Sequence, residues 1–381
     1  MFHAIVIHAS HLDSALLRAM VAATGLIDVI RELPAPPGAY ELSRLLNTVA
    51  PAAVLIDLRS ASAFECAARI RETAPGCAVI GFACPPDRLP LARQAGCGAL
   101  APLCSSPGDL AAAVRKALED KRADVHEGLF SFLPAKAGCG ASIVVLNTAA
   151  ALARLDKRIL VIDADLRSGI QGVMLGAPRH GGLQSILERC EQLDSFLWAD
   201  RVFQAHGVDF LLSSRSLDAS LPGWWNYYQL LNFASDRYDA ILVDLPELVN
   251  PATVEVVRRS RTIFSVCPPE LPALDLAAQR HEELRRVGVP AARTSVLLNR
   301  HHRGDLPPAQ IASLLDQEIA KVFPNDYPLV QAAISAAIPV PGGSVLGRAF
   351  HEFAAQLVHQ AVLCPPTVKS RIKGIFGLAT A

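Results

Sequence analysis

A short glycine-containing segment between two apolar runs carries residue types that can bind phosphate. It reads Lys-Ala-Gly-Cys-Gly-Ala-Ser over residues 136–142, after the apolar run Leu129–Leu133 and before a helical run that ends near Arg154. A strand, a glycine loop and a helix N-terminus together present backbone N–H groups and a positive dipole end to an anion. The segment therefore predicts a phosphate-binding loop, although an ordinary glycine turn between strand and helix also fits these residues.

Polar residues follow three other apolar runs at the points where strands are expected to end. Asp163 and Asp165 follow one run, Asp244 follows a second, and Asn299-Arg300 follow a third. In a parallel sheet the carboxyl ends of the strands meet at one edge, so we expect these side chains to converge on the glycine loop. Carboxylate and hydroxyl oxygens are ligands that Mg²⁺ prefers. The pattern predicts a nucleotide and magnesium site at this edge.

Composition restricts the class of protein that can carry such a site. The 381 residues include 36 Lys and Arg against 36 Asp and Glu, so the formal net charge is zero. A neutral chain has no overall attraction to nucleic acid, and such binding would need a local basic patch. With 51% apolar and 19% charged residues, the chain is typical of a globular protein rather than a disordered one. Its length predicts two or three domains.

Cysteine usage and the absence of a targeting segment favour the cytoplasm. The nine cysteines form no C-x-x-C pair and no metal-ligand spacing, as expected for reduced thiols of a cytosolic protein. The N-terminus lacks a charged region before an apolar stretch, and no run of about 20 apolar residues is present.

Residues 1–120 alternate apolar strands with helices in five βα units, which predicts a flavodoxin-like, five-stranded parallel sheet. A charged stretch at 119–127 marks a domain boundary. The predicted organisation is a first domain over 1–120, a linker over 121–127, a larger mostly parallel α/β domain over 128–363 and a tail over 364–381.

The glycine loop resembles the deviant phosphate loop K-G-G-x-G-K-[ST] of the MinD/ParA ATPases. Lys136 takes the place of the family's signature lysine, and Ser142 that of the hydroxyl that ligates magnesium. The first glycine is replaced by Ala137, and the second lysine, which would reach the β- and γ-phosphates, by Ala141. The resemblance implies a P-loop domain that binds ATP or ADP with Mg²⁺.

This resemblance also implies a role for each matching residue. The nucleotide would be bound by Lys136, Gly138, Cys139, Gly140, Ala141, Ser142, Ile143, Asn299, Arg300, Pro324 and Asn325. Within this set, Asn299-Arg300 matches the Asn-Arg pair that meets the adenine in the family. Magnesium would be held, partly through water, by Ser142, Asp163 and Asp244. If the protein is an active enzyme, the catalytic residues would be Asp165 and Lys136.

The first domain resembles a response-regulator receiver, with Asp57 where the phosphorylated aspartate stands. The groups that phosphotransfer needs are missing. The acidic pair is replaced by residues 8–10, the hydroxyl by Ala83, and the lysine is absent from residues 101–103. Because phosphoryl transfer depends on charge neutralisation by a metal, Asp57 is expected to be a degenerate phosphoacceptor. The domain is interpreted as an atypical pseudo-receiver used for contacts.

The segment Pro324-Asn325-Asp326, followed by Ala332–Ala337 and Pro339, resembles the ending of the CpaE/TadZ branch of Flp-type pilus assembly ATPases. Members of that branch also carry a degenerate receiver ahead of the ATPase domain. The resemblance implies a role in pilus or secretion-machine assembly at the cell pole or inner-membrane face. It also implies a homodimer in which Lys136 reaches the partner's phosphates. Because alanine stands at position 141 in place of the phosphate-binding lysine, we expect a weak or inactive ATPase that acts as a dimeric scaffold.

A working ATPase that positions a flagellar, partition or other polar system is the alternative, favoured by the retained Asp163, Asp165 and Asp244.

Three other features each leave an alternative open. The aromatic group at 224–228 is interpreted as core packing, with a partner surface as the alternative. The basic clusters at 258–261 and 285–286 are interpreted as solvated helix faces rather than a DNA patch, so no specific nucleic-acid partner is expected. The basic and apolar tail is either a frayed terminus or a peripheral membrane contact.

Overall fold

The computed structural model describes residues 2–8, 18–24, 27–49, 51–74, 76–101, 106–120, 125–178, 181–215 and 222–362. The predictions for the start of the first helix, for Pro102-Leu103, for linker residues 121–124 and for the tail 364–381 lie outside this range. None of the helices in the described ranges is long and apolar enough to cross a membrane.

The first sheet has five strands in the order β2-β1-β3-β4-β5, and every neighbouring pair is parallel. This confirms the predicted flavodoxin-like arrangement. All five residues of β3 and of β4 are buried, because helices cover both faces of the sheet. The strands are β1 (Phe2–Ile7), β2 (Ile27–Leu33), β3 (Ala53–Asp57), β4 (Ala78–Phe82) and β5 (Ala99–Ala101). Its labelled helices are α1 (Ala39–Val49), α2 (Ala61–Thr73), α3 (Leu89–Gln94) and α4 (Pro107–Asp120).

The second sheet has eight strands in the order β13-β12-β11-β6-β10-β7-β9-β8, and only the β8–β9 pair is antiparallel. This confirms the predicted larger, mostly parallel sheet. Its strands are β6 (His126–Pro134), β7 (Ile159–Asp163), β8 (Phe203–Ala205), β9 (Val208–Leu211), β10 (Ala240–Asp244), β11 (Ser260–Cys267), β12 (Thr294–His301) and β13 (Ile319–Pro324). The sheet begins at His126, inside the segment predicted as linker.

Ten helices pack on the second sheet in the described part of the chain, and their apolar side chains form three core clusters with it, the third of them under α11 and α12. They are α5 (Ala141–Ala153), α6 (Gln171–Met174), α7 (Gly182–Glu188), α8 (Ser195–Arg201), α9 (Trp224–Ser235), α10 (Pro251–Arg259), α11 (Leu271–Arg286), α12 (Pro308–Leu315), α13 (Tyr327–Ser335) and α14 (Val345–Val362). Helix α5 is buried along most of its length, because its small and apolar side chains let the sheet and α14 pack closely around it. The first turn of α5 is thereby fixed against the sheet.

The two sheets are joined by buried contacts from α9 and α10. Trp224 of α9 is buried in the same apolar cluster as Leu42 and Leu46 of α1. The Arg258 guanidinium of α10 donates to the carbonyl oxygen of Pro51 at 2.7 Å and to that of Val287 at 2.8 Å. Pro51 precedes β3 and Val287 precedes β12, so the Arg258 contacts lie near the amino ends of these strands, whereas the glycine loop follows the carboxyl end of β6.

Candidate functional site

The glycine loop joins β6 to α5, and its two glycines have left-handed backbone conformations. Gly138 has φ 76° and Gly140, the N-cap of α5, has φ 90°. Such values strain most other residues. A Cβ added to Gly140 would also lie 2.4 Å from Nδ2 of Asn299. Glycine is required here because the loop turns sharply and packs directly against the end of β12.

The N-terminal turn of α5 and two strand ends meet at one point. Asp163 ends β7, Asp244 ends β10, and the two residues are direct partners in the parallel register. Both are buried, and the Ser142 side chain lies close enough to Asp244 to lower the pKa of that carboxyl. The structure therefore brings together the three residues that the sequence predicts as magnesium ligands.

Gln171, the first residue of α6, connects these groups and was missed by the sequence analysis. Its side-chain amide donates to Oδ2 of Asp244 at 2.8 Å and to the Ser142 carbonyl at 3.1 Å. Its backbone N–H donates to Oδ2 of Asp163 at 3.2 Å. Nothing in the sequence distinguishes this glutamine, because its role depends on how the loop after β7 folds back. It holds both carboxylates in place.

The buried carboxylates repel each other and are poorly solvated. Burial raises the pKa of Asp163 well above its ordinary value, and the nearby Asp244 charge raises it further. Burial likewise raises the pKa of Asp244 to about 6, although hydrogen bonds from Ser142 and Gln171 act in the opposite direction. Such a pair strongly favours a bound cation.

The donor set fits a magnesium ion that is completed by water and phosphate. Among the described residues, Oδ1 of Asp163 and Oε1 of Gln171 are buried and have no hydrogen-bond partner, as expected where an ion or water belongs. No group of three or more His, Cys, Asp or Glu side chains in the described ranges is arranged to hold a metal alone. Mg²⁺ usually keeps several waters and takes substrate phosphate oxygens, so a Ser142 hydroxyl with two carboxylates is sufficient.

Asp165 lies outside this buried cluster, on the turn that leads to α6. Its Oδ1 accepts hydrogen bonds from the backbone N–H groups of Arg167 and Ser168 at 3.1 and 2.8 Å. Gly169 closes the turn, because a Cβ there would lie 2.4 Å from Oδ1 of Asp163. The half-buried carboxylate of Asp165 is thus held near the residues predicted to bind magnesium, where it can orient a water.

Two glutamates of the same chain contact the first two residues of the loop, Lys136 and Ala137. The Lys136 ammonium lies 2.7 Å from Oε2 of Glu270, just before α11, and the Lys136 side chain is 34% exposed. The backbone N–H of Ala137 donates to Oε2 of Glu247 at 3.0 Å. Glu247 also lies 3.7 Å from the buried Arg280 guanidinium. The reach of Lys136 across a dimer stays a prediction, since here it pairs within its own chain.

A cavity of about 650 Å³, including its mouth, opens beside the loop. Its lining combines apolar side chains with a set of polar ones, as is usual for a small-molecule pocket. The wall includes Ile143, Val330, Ile334, Leu346 and Phe350. The rim includes Asn299, Arg300, Pro324, Asn325 and Asp326. The side-chain amide of Asn299 donates to the Cys139 carbonyl at 2.8 Å. Five residues that the resemblance implies bind the nucleotide therefore line one cavity next to the loop, namely Ile143, Asn299, Arg300, Pro324 and Asn325.

The remaining loop residues have structural roles. Burial raises the pKa of the Cys139 thiol, which is 1% exposed, so this cysteine is a poor nucleophile. Ala141 is 5% exposed and packs in the core cluster around α5. Position 141 therefore contributes no charge and no hydrogen-bonding side chain to the loop.

In the first sheet, Asp57 is buried and already paired. The guanidinium of Arg59 contacts both carboxylate oxygens of Asp57, with Nη2 at 2.5 Å from Oδ2. The backbone N–H of Arg59 adds a bond at 3.0 Å. The positive charge that faces the Asp57 carboxylate is therefore the Arg59 guanidinium.

The aromatic and basic clusters contribute to packing. Tyr227 is fully buried in the core, and the Arg259 guanidinium lies 5.2 Å from the centre of the Tyr228 ring. Arg285 and Arg286 both pair with Glu282. The core interpretation of the aromatic group agrees with the structure. The prediction of a solvated helix face at 258–261 is wrong, because Arg259 is buried in the core and Arg261 lies in β11. Arg285 and Arg286 are exposed on α11, as predicted. The Trp225 side chain lies outside the described part.

No known protein-family model matches the chain. Among curated proteins, the tyrosine-protein kinase etk of Escherichia coli (strain K12) is 27% identical over 150 residues, which are 39% of this chain and 20% of the kinase. The uncharacterized ATP-binding protein MJ0169 of Methanocaldococcus jannaschii is 23% identical over 203 residues, which are 52% of this chain and 75% of that protein. The chain thus spans only about a fifth of the length of the kinases that it matches.

Solved structures resemble the chain in fold. A ParA family ATPase from Chlorobium tepidum superposes with a TM-score of 0.57 and 23% identity, covering 60% of this chain and 99% of that one. The septum site-determining protein MinD of Pyrococcus horikoshii, complexed with Mg-ADP, gives a TM-score of 0.50 and 20% identity over 62% and 97% of the two chains. The chain therefore contains the MinD/ParA P-loop fold.

Proposed function

We propose that this chain binds ATP or ADP with Mg²⁺ at the 136–142 loop and hydrolyses ATP slowly or not at all. One observation carries the proposal. The left-handed Gly140 places the N-terminus of α5 beside Ser142, Asp163 and Asp244, while position 141 holds a buried alanine. Ser142 and the two carboxylates would hold the magnesium ion, which neutralises phosphate charge when bound.

The absence of a lysine at position 141 should weaken catalysis more than nucleotide binding. A charge-assisted hydrogen bond to phosphate contributes about 1.5–3 kcal/mol, so its loss weakens nucleotide binding without abolishing it. Hydrolysis suffers more, because negative charge develops on the transferring phosphoryl group in the transition state. Asp165 remains positioned to orient a water. The lysine that would stabilise the developing charge is absent, because position 141 is an alanine.

The finer part of the proposal is a dimeric scaffold of the CpaE/TadZ kind that helps to assemble or place a Flp-type pilus machine. The first sheet with its Arg59-paired Asp57 supports a pseudo-receiver. Large apolar side chains near the loop support a second copy as partner, because exposed apolar patches mark association surfaces. Val173, Leu248 and Leu271 are 56%, 60% and 65% exposed, and each lies close in sequence to a site residue.

Calorimetric titration with ATP and Mg²⁺, together with phosphate release, tests the biochemical part. We expect measurable binding and a turnover at background that Asp165→Ala does not change. A turnover that Asp165→Ala or Lys136→Ala abolishes would instead establish the alternative, an active ATPase that positions a polar system. Absence of nucleotide binding would reject both.

Complementation of a deletion strain tests the cellular part. We expect pili to be lost on deletion and restored by both the natural chain and Asp165→Ala, because a scaffold does not need hydrolysis. Normal pili in the deletion strain would contradict the pilus role.

A further inference from the structure

Arg300 is a cation that lies close to the glycine loop, which has no lysine at position 141. Arg300 lies in β12, directly after Asn299, and a Cβ added to Gly140 would lie 3.7 Å from Nη2 of Arg300. The guanidinium therefore lies beside the N-cap of α5, on the side of the loop that faces the cavity. The backbone N–H groups at this N-terminus are the ones that meet an anion.

Arg300 is the cation that remains available near the loop. Lys136 is paired with Glu270, and Arg280 is paired with Glu283 and lies near Glu247. In the part of the chain that the structure describes, the exposed Arg300 guanidinium has no hydrogen bond and no ion pair. Among the described residues that line the cavity, it carries the only positive charge.

The backbone of Arg300 supports a positioned rather than an incidental side chain. Its φ is 61°, a left-handed conformation that a residue with a side chain rarely adopts. Strained residues of this kind cluster at ligand sites, where the surrounding structure holds them in place.

We infer that Arg300 binds the α- and β-phosphates of the nucleotide and so supplies the positive charge that Ala141 does not. The apolar lining of the cavity, which includes Leu346 and Phe350, would accommodate the base, and Arg300 on its rim lies beside Gly140 of the loop. Asp326 is the one carboxylate on this rim. Its Oδ1 accepts a hydrogen bond from the Leu329 N–H at 3.2 Å. This role rests on the proposed nucleotide-binding function and adds the residue that recognises the phosphate.

Displacement of a fluorescent ATP analogue in the presence of Mg²⁺ tests the role, with ATP and adenosine as competitors. We expect Arg300→Ala to weaken ATP about 10- to 100-fold, the range for one charge-assisted hydrogen bond. Adenosine, which lacks phosphate, should change by less than about twofold under the same reasoning. Arg303→Ala removes an exposed arginine of the same segment and should change neither.

The outcomes separate this role from the proposed function. Unchanged ATP binding in Arg300→Ala, or equal losses for ATP and adenosine, would overturn the phosphate role while nucleotide binding stands. A natural chain that fails to bind the fluorescent analogue would reject the proposed function itself, and the phosphate role with it. Arg300→Gln keeps a polar side chain of intermediate length and removes the charge, so it gives the same answer if the alanine variant does not fold.

Discussion

The ammonium group of Lys136 lies 2.7 Å from a carboxylate oxygen of Glu270 in the same chain. Both side chains are partly exposed, at 34% and 59%, so the pair is weak enough to exchange partners. In its present geometry the lysine is held by the residue that precedes α11 and is not free to meet a phosphate. A bound nucleotide must compete with Glu270 for this charge.

Substitution of Glu270 by alanine should therefore strengthen the binding of ATP and Mg²⁺. An exposed ion pair contributes at most about 1 kcal/mol, so the expected gain in affinity is up to about fivefold. Glu352→Ala is the matched control, because it breaks the partly exposed Lys321–Glu352 pair on another face. Weaker binding in Glu270→Ala, measured by calorimetry, would show that Glu270 orients Lys136 for the nucleotide.

The buried carboxylates predict a pH dependence of stability in the absence of nucleotide and Mg²⁺. Burial raises the pKa of Asp244 to about 6 and that of Asp163 above its ordinary value. The folded state then keeps protons that the unfolded state releases above its lower pKa. The stabilising contribution is complete below about pH 4 and is lost as pH rises through about 6.

Asp244→Asn should remove part of this loss of stability at high pH. We expect its free energy of unfolding at pH 7.5 to exceed that of the natural chain by about 1–3 kcal/mol, and the difference to vanish near pH 4. Urea titrations across this pH range measure it. Asp316→Asn, at the exposed end of α12, should leave the pH dependence unchanged. A less stable Asp244→Asn at pH 7.5 would mean that hydrogen bonds outweigh the repulsion.

Much of the fold could be predicted because its strands are apolar on both faces. Strands such as β7 and β10 are buried at every residue, and such runs stand out in a sequence. The two edge strands β8 and β13 were missed. β8 has three residues, and β13 includes Lys321 and is mostly half-buried, so neither gives a continuous apolar signal.

The candidate site was predictable only where a residue ends a strand or forms the loop. Ser142, Asp163, Asp244 and Asn299 belong to this class, and the structure brings them together. Gln171, Glu247 and Glu270 do not, because each reaches the site through a loop whose path no local pattern reveals. The pairing of Lys136 within its own chain could not be predicted for the same reason.

The pairing of Asp57 with Arg59 predicts that the first domain does not accept phosphate. A small phosphodonor such as acetyl phosphate, with Mg²⁺, should give no phosphoaspartate by intact-mass measurement, because the guanidinium contacts both oxygens that would bind metal or phosphate. Asp57→Asn provides the baseline. A mass increase of one phosphate in the natural chain, absent from this variant, would restore Asp57 as a live phosphosite.

The contact between the two sheets depends on Trp224, which is 6% exposed and packs with Leu42 and Leu46. Trp224→Ala should lower the free energy of unfolding by about 3–5 kcal/mol, because a large buried side chain is removed and a cavity remains. Phe196→Ala, at a side chain that is 84% exposed, should change it by less than about 0.5 kcal/mol. Since Trp224 joins the sheets, its loss should also separate one urea transition into two. A small loss with a single transition would show that Arg258 and its carbonyl partners suffice to join them.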